Sequence, residues 1–79
     1  MNVLFFAQTR EATGCGHGAL KTDASITQAE FWARLLEAYP ALQPYQKTSR
    51  LARCEVYLQG DELLQPEDEI ALIPPVSGG

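Results

Sequence analysis

Residues 26–40 read Ile26-Thr27-Gln28-Ala29-Glu30-Phe31-Trp32-Ala33-Arg34-Leu35-Leu36-Glu37-Ala38-Tyr39-Pro40, and this stretch decides the fold. Thr27 and Glu30 have the spacing of a capping box, in which the Thr27 hydroxyl accepts from the Glu30 amide and the Glu30 side chain reaches back to the Thr27 amide. Ile26 before the cap and Phe31 inside the helix fit the hydrophobic staple that accompanies such a start. Phe31, Leu35 and Tyr39 recur at i, i+4 and i+8, and Trp32 and Leu36 widen the stripe, so one face is apolar. Pro40 pushes its predecessor out of the helical region and ends the helix. The predicted helix runs from about Gln28 to Tyr39.

The flanks read as strands. Val3 to Ala7 is a short β-branched and aromatic run that opens the fold as a buried strand. Gln8 to Thr13 is a brief helical turn, and Gly14-Cys15-Gly16-His17-Gly18 is a loop or hairpin connection. Ala19 to Thr22 is a weaker second strand returning beside the first. After the helix, Ala41 to Ser49 reads as a loop or short irregular turn. Cys54 to Leu58 is a strong strand, here expected to bury Cys54, and Gln59-Gly60-Asp61 supplies the turn that follows. Leu63 and Leu64 form a brief strand, and Glu69-Ile70-Ala71-Leu72-Ile73 is the last. One helix packed across a mixed sheet of four to five strands is the economical way to bury this pattern, an α+β fold.

The chain has 79 residues, enough for one small core. Ten acidic against six basic residues give a net charge of −4, which argues against nucleic acid as a partner. No apolar run approaches a membrane span. The opening Met1-Asn2-Val3-Leu4-Phe5-Phe6-Ala7 lacks the length and the preceding basic residues of a signal peptide. Two cysteines, with no paired spacing, fit a reducing compartment, so a cytoplasmic location is expected. Cys15 and His17 make a poor metal site, since no further ligand stands near them in sequence, and no metal is expected.

After Ile73 the sequence reads Pro74-Pro75-Val76-Ser77-Gly78-Gly79. Two prolines hold the backbone extended and remove two amide donors, so the expected division is a folded domain over 1–73 and an extended tail over 74–79. Six residues in a polyproline-like path reach roughly 19 Å at about 3.1 Å per residue. The last two residues carry no Cβ, so the terminal carboxylate can pass through a narrow channel. A stiff stem with a bare tip suits a carboxylate presented to another protein's active site. There ATP would activate it to an acyl-adenylate, and a sulfur, nitrogen or other nucleophile would take the acyl group. Such a carrier needs no catalytic side chain of its own, and the sequence offers no phosphate-binding glycine loop, metal-ligand cluster or Ser/His/Asp set.

The opening Val3-Leu4-Phe5-Phe6-Ala7-Gln8-Thr9-Arg10-Glu11-Ala12-Thr13-Gly14 and the closing Asp68-Glu69-Ile70-Ala71-Leu72-Ile73-Pro74-Pro75-Val76-Ser77-Gly78-Gly79 resemble the molybdopterin synthase small-subunit family, sulfur carriers with the ubiquitin-like β-grasp fold. The resemblance runs end to end. It implies that an E1-like adenylating enzyme, holding ATP and Mg, activates the Gly79 carboxylate, so that the carrier binds no cofactor and passes only through a transient acyl-adenylate. A sulfurtransferase or cysteine desulfurase then provides the sulfur of a Gly79 thiocarboxylate. The tail of Pro74, Pro75, Val76, Ser77, Gly78 and Gly79 enters the large subunit, where the sulfur passes to precursor Z, cyclic pyranopterin monophosphate, to build the dithiolene of molybdopterin. The implied assembly is a heterotetramer whose catalytic residues lie on the large subunits.

If Val3, Phe5, Ile70 and Leu72 face the helix, alternation sends Phe6 and Ile73 to the other face, with Leu58 expected beside them. The resemblance makes Phe6, Leu58 and Ile73 an apolar docking patch and adds Arg10 as a partner contact; the alternative for Arg10 is a surface turn carrying a weak ion pair with Glu11. The sequence departs from the family pattern at Glu55, where asparagine is common, and at Glu67-Asp68-Glu69, where Gly-Asp-Glu is common. A thiamin- or cysteine-pathway sulfur carrier, a ubiquitin-like protein modifier and a plain interaction domain with an inert tail all remain open on the sequence.

Overall fold

The computed structural model describes residues 1–74, so Pro75, Val76, Ser77, Gly78 and Gly79 lie outside the described residues, and with them most of the expected extended tail. Five strands and two α-helices follow one another as β1 (Asn2–Phe5), α1 (Ala7–Thr13), β2 (His17–Ala19), α2 (Gln28–Ala38), β3 (Arg50–Arg53), β4 (Val56–Tyr57) and β5 (Glu69–Ile73), with a 3-10 helix over Pro40–Tyr45 after α2. The strand order is β2-β1-β5-β3-β4. The central pair β1 and β5 is parallel, and β2, β3 and β4 join antiparallel. A mixed sheet with one long helix across it is the expected β-grasp architecture.

Strand alternation builds the core. Val3 and Phe5 of β1 and Ile70 and Leu72 of β5 are fully or almost fully buried, and Phe31 and Leu35 of α2 pack with them at no measurable exposure. Tyr39 closes the helix and sets its ring edge-on to Phe5, with 5.1 Å between centroids. The Tyr39 side chain also explains a glycine in β2: a Cβ on Gly18 would stand 3.0 Å from Tyr39 Cζ. Trp32 is buried as well, so all three aromatic residues of the predicted stripe serve packing.

Thr27 caps α2 by accepting from the Glu30 amide at 3.1 Å. The reciprocal half of the predicted capping box is replaced, because the Glu30 carboxylate turns outward to Arg34 at 3.2 Å. An exposed i,i+4 ion pair satisfies that carboxylate, leaving the hydroxyl as the effective cap.

Three strand expectations need correction. The second strand is His17–Ala19, earlier than Ala19–Thr22, because its register is set by pairing with Asn2, Val3 and Leu4. The stretch Cys54–Leu58 is a hairpin tip followed by a short strand. Cys54 and Glu55 have φ of 53° and 66°, the pair of positive values that a two-residue type I′ turn requires. Cys54 is therefore exposed at a turn, whereas a buried strand position was expected. The strand before it, Arg50–Arg53, was not anticipated. Leu64 forms only an isolated bridge, exchanging both backbone hydrogen bonds with Ile26 at 2.9 Å. The segment read as a loop after the helix contains the 3-10 helix, whose Leu42 is fully buried.

Replacing Leu35 by alanine removes a fully buried side chain over the central strands, and a loss of roughly 2–5 kcal/mol is expected. Thr27→Ala, which removes one cap bond, is expected to cost about 1 kcal/mol. Urea denaturation of both variants at neutral pH checks the order; a Thr27 effect as large as that of Leu35 would contradict this division of labour.

Candidate functional site: the outer sheet face beside the tail

The face of the sheet turned away from α2 holds a shallow groove of about 470 Å³. Leu4 of β1, Ala52 of β3, Ala71 and Ile73 of β5, Phe6 and Tyr57 supply its apolar lining, with Cys54, Glu55 and Glu69 completing it. The alternation that buries Val3, Phe5, Ile70 and Leu72 on one side sends Leu4, Ala71 and Ile73 to this one. Phe6 and Tyr57 are each 45% exposed, unusual for aromatic residues on so small a domain. Ile73 is the last residue of β5, and the chain leaves the sheet through Pro74, so the groove adjoins the root of the tail.

Phe6 owes its position to Thr9. The Phe6 amide donates to Thr9 Oγ1 at 3.1 Å, and that hydroxyl donates back to the Phe6 carbonyl at 2.6 Å. Thr9 is fully buried with its hydroxyl satisfied in both directions, so the strand-to-helix junction is held by a two-way local bond. Gly14 ends α1 in the left-handed region at φ 76°, donating its amide to the Arg10 carbonyl.

Phe6 and Ile73 are thus brought together on one face. Leu58 is not: its amide bonds the Leu51 carbonyl at 2.8 Å, and it packs half-buried against the core cluster. The unforeseen turn at Cys54-Glu55 shifts the phase of the following strand, and Tyr57 takes the place on the outer face. Arg10 does not line the groove; its guanidinium lies over Gly16. No ion pair joins Arg10 to Glu11 among the described residues, where the salt bridges are those of Arg34 and Arg53. Gly79, like Pro75, Val76, Ser77 and Gly78, is a tail position outside the described residues. Tyr57 and Thr9 were missed by sequence reasoning. The first depended on the turn register, and the second has no signal beyond a threonine four residues after a strand end.

Arg53 secures the connection that leads into β5. It donates to Asp68 at 2.7 Å, to Glu62 at 3.1 Å and to the Leu63 carbonyl at 3.2 Å. Burial alone pushes the Asp68 carboxyl up, but the Gln65 amide and the Arg53 guanidinium outweigh it and hold its pKa below the ordinary 3.8. The Arg53 pKa is raised, chiefly by its hydrogen bond to Asp68. Among the described residues no three His, Cys, Asp or Glu side chains converge in the manner of a metal site, and no helix is long and apolar enough to cross a membrane.

The ThiS family profile matches residues 3–79. The chain belongs to the ThiS family. Across its whole length this ThiS-family chain is 35% identical to the molybdopterin synthase sulfur carrier subunits of Chlamydomonas reinhardtii, Homo sapiens and Arabidopsis thaliana, covering 98%, 93% and 82% of those proteins. Among solved structures it is similar to small archaeal modifier protein 1 of Haloferax volcanii, with a TM-score of 0.84 and 27% identity over 99% of this chain and 97% of that one.

A depressed carboxyl pKa stabilises the fold above its unfolded value and loses that stabilisation as pH falls through the folded value. Asp68→Asn is therefore expected to lower stability by roughly 1.5–3 kcal/mol at neutral pH. The gap to the wild type should close as pH drops below the ordinary carboxylate range; urea midpoints measured from neutral pH to pH ~2 check this. Glu55 occupies a left-handed turn position that asparagine adopts at lower cost, so Glu55→Asn is expected to raise stability by about 1 kcal/mol, read as a higher melting temperature.

Proposed function

We propose that this chain is a sulfur carrier acting as the small subunit of molybdopterin synthase in molybdenum cofactor biosynthesis. What carries the reading is full-length identity of about 35% to proteins bearing that name. The apolar groove beside Ile73, where the chain runs on into Pro74-Pro75-Val76-Ser77-Gly78-Gly79, supports it. In the proposed cycle the Gly79 carboxylate attacks the α-phosphorus of ATP on an E1-like adenylating enzyme, and pyrophosphate leaves. A persulfide on a sulfurtransferase or cysteine desulfurase displaces AMP to give an acyl disulfide, and a thiol then cleaves its S–S bond, leaving the Gly79 thiocarboxylate and a disulfide on the thiol's side. The groove then docks on the large subunit, the tail enters its active site, and the sulfur attacks a carbon of precursor Z, displacing an oxygen leaving group and forming a thioester. Hydrolysis of the acyl group releases the carboxylate for another round.

The carrier's contribution is position. A thiocarboxylate tethered to a docked scaffold reacts as an intramolecular group at high effective concentration, which free sulfide cannot match. Acid, base and oxyanion contacts come from the large subunit, in a heterotetramer working in the cytoplasm. The likeness to small archaeal modifier protein 1 favours a second reading, a protein modifier joined to lysines through the same adenylate.

The test is intact mass after co-expression with adenylating and sulfur-transfer enzymes. One O-to-S exchange on the chain is the expected result, and ladders of adducts on other proteins would favour the modifier. Deleting Gly79 is expected to abolish molybdoenzyme activity in a strain lacking its own carrier while the melting temperature stays unchanged. Full activity from the deletion variant would overturn the proposal.

A further inference from the structure

The groove's floor is apolar and built in part from Ala52 and Ala71, which offer a partner no direction. Fixed charge stands at its ends. Glu55 and Glu69 line it and are exposed. Arg50 lies on the same face, its guanidinium carbon 3.9 Å from the centroid of the Tyr57 ring. Strand register separates the two signs. Arg50 is opposite Ile73, at the root of the tail, while Arg53 is opposite Ile70, which brings the Cys54-Glu55 turn level with Glu69. Four strand residues at roughly 3.3 Å each put about 13 Å between the cationic and anionic ends.

None of these three charges enters an ion pair among the described residues. Among the described residues the ion pairs involve Arg34 with Glu30, and Arg53 with Glu62 and Asp68. The Tyr57 ring orients the Arg50 side chain without using its N–H donors, so a bidentate partner would meet a pre-set fork. Glu55 keeps a charged side chain at a left-handed turn position that asparagine or glycine would fill with less strain.

We infer that the groove is an electrically polarised docking face that sets the orientation of the molybdopterin synthase large subunit, which places a carboxylate against Arg50 at the tail root and a basic side chain against Glu55 and Glu69. This rests on the sulfur-carrier reading and adds to it the charge pattern of the partner. Threading a tail demands one orientation of two. An apolar floor of small side chains does not choose between them, whereas complementary charges at opposite ends favour one and penalise the reverse.

The experiment measures binding of the full chain to the large subunit of molybdopterin synthase from the same organism, at low and high salt. Arg50→Glu and Glu55→Lys are each expected to weaken binding about tenfold at low salt, mainly through slower association, with the difference shrinking at high salt. Arg50→Gln and Glu55→Gln, which remove charge without reversing it, should act in the same direction with smaller effect. Melting temperatures separate a binding defect from a folding defect. If the unsubstituted chain binds and all four variants bind equally well at both salt concentrations, the polarity is overturned and the sulfur-carrier reading stands. If the unsubstituted chain does not bind the large subunit at all, both fall together.

Discussion

The parallel pairing of β1 with β5 is the constraint on which the molecule depends. It aligns Asn2 to Phe5 with Glu69 to Leu72, so the first and last strands become neighbours at the centre of the sheet. Both strands must then present the same phase to α2, which buries Val3, Phe5, Ile70 and Leu72 together. Pairing alone fixes that phase, since slipping one strand by a residue would turn its apolar set outward. The same register settles the outer face. Leu4, Ala71 and Ile73 line the groove because their neighbours in sequence fill the core, and Phe6 joins them from the junction that follows β1. Core and candidate docking surface are two consequences of one alignment.

How much of this was legible in the sequence varies with the physics of each element. The long helix was legible because its signals are local: a cap, a staple, a stripe of apolar residues and a proline stop all lie within 15 residues. The central strands were legible for a related reason, since dense runs of apolar residues between polar turns fit nothing else. Strand Arg50–Arg53 was not, because two arginines enclose two apolar residues, its partner β5 is distant in sequence, and its nearby partner β4 is only two residues long. The hairpin tip was hidden by the absence of the usual residues: Cys54 and Glu55 hold left-handed conformations without glycine or asparagine. Reading through that turn as strand exchanged the roles of Leu58 and Tyr57. One unrecognised turn therefore accounts for the displacement of Leu58 from the expected patch, while Phe6 and Ile73 follow from alternation alone.

Polar interactions in this domain hold the joints, and apolar ones hold the body. Thr9 braces the exit from β1, Thr27 starts α2, and Arg53 ties Glu62 and Asp68 together just before β5 begins. The Gln28 amide bonds the carbonyls of Gln59 and Glu62, fastening the connection after β4 to the start of α2. Each joint lies where a strand or helix begins or ends, where backbone groups lack regular partners. A domain with so small a core has little margin for wandering junctions, and a single well-placed side chain at each removes that freedom.

That arrangement bears on why a carrier would keep recognition and chemistry in separate parts of one chain. A surface that must be bound and released by more than one enzyme works best when it is rigid and moderately apolar, so that little ordering entropy is lost on each encounter. The groove fits this, since its floor is sheet and its rim is pinned by Thr9 at one corner and by a stacked arginine at another. A reactive carboxylate has the opposite requirement: it must leave the surface and enter a site where water is excluded. In the proposed cycle, a carboxylate placed beyond Pro74, after β5 has paired Ile73 with Arg50, would let the described scaffold remain unchanged through loading and unloading. On this view the side chains of the domain determine where the tail is delivered, and the enzymes that receive it determine what happens there.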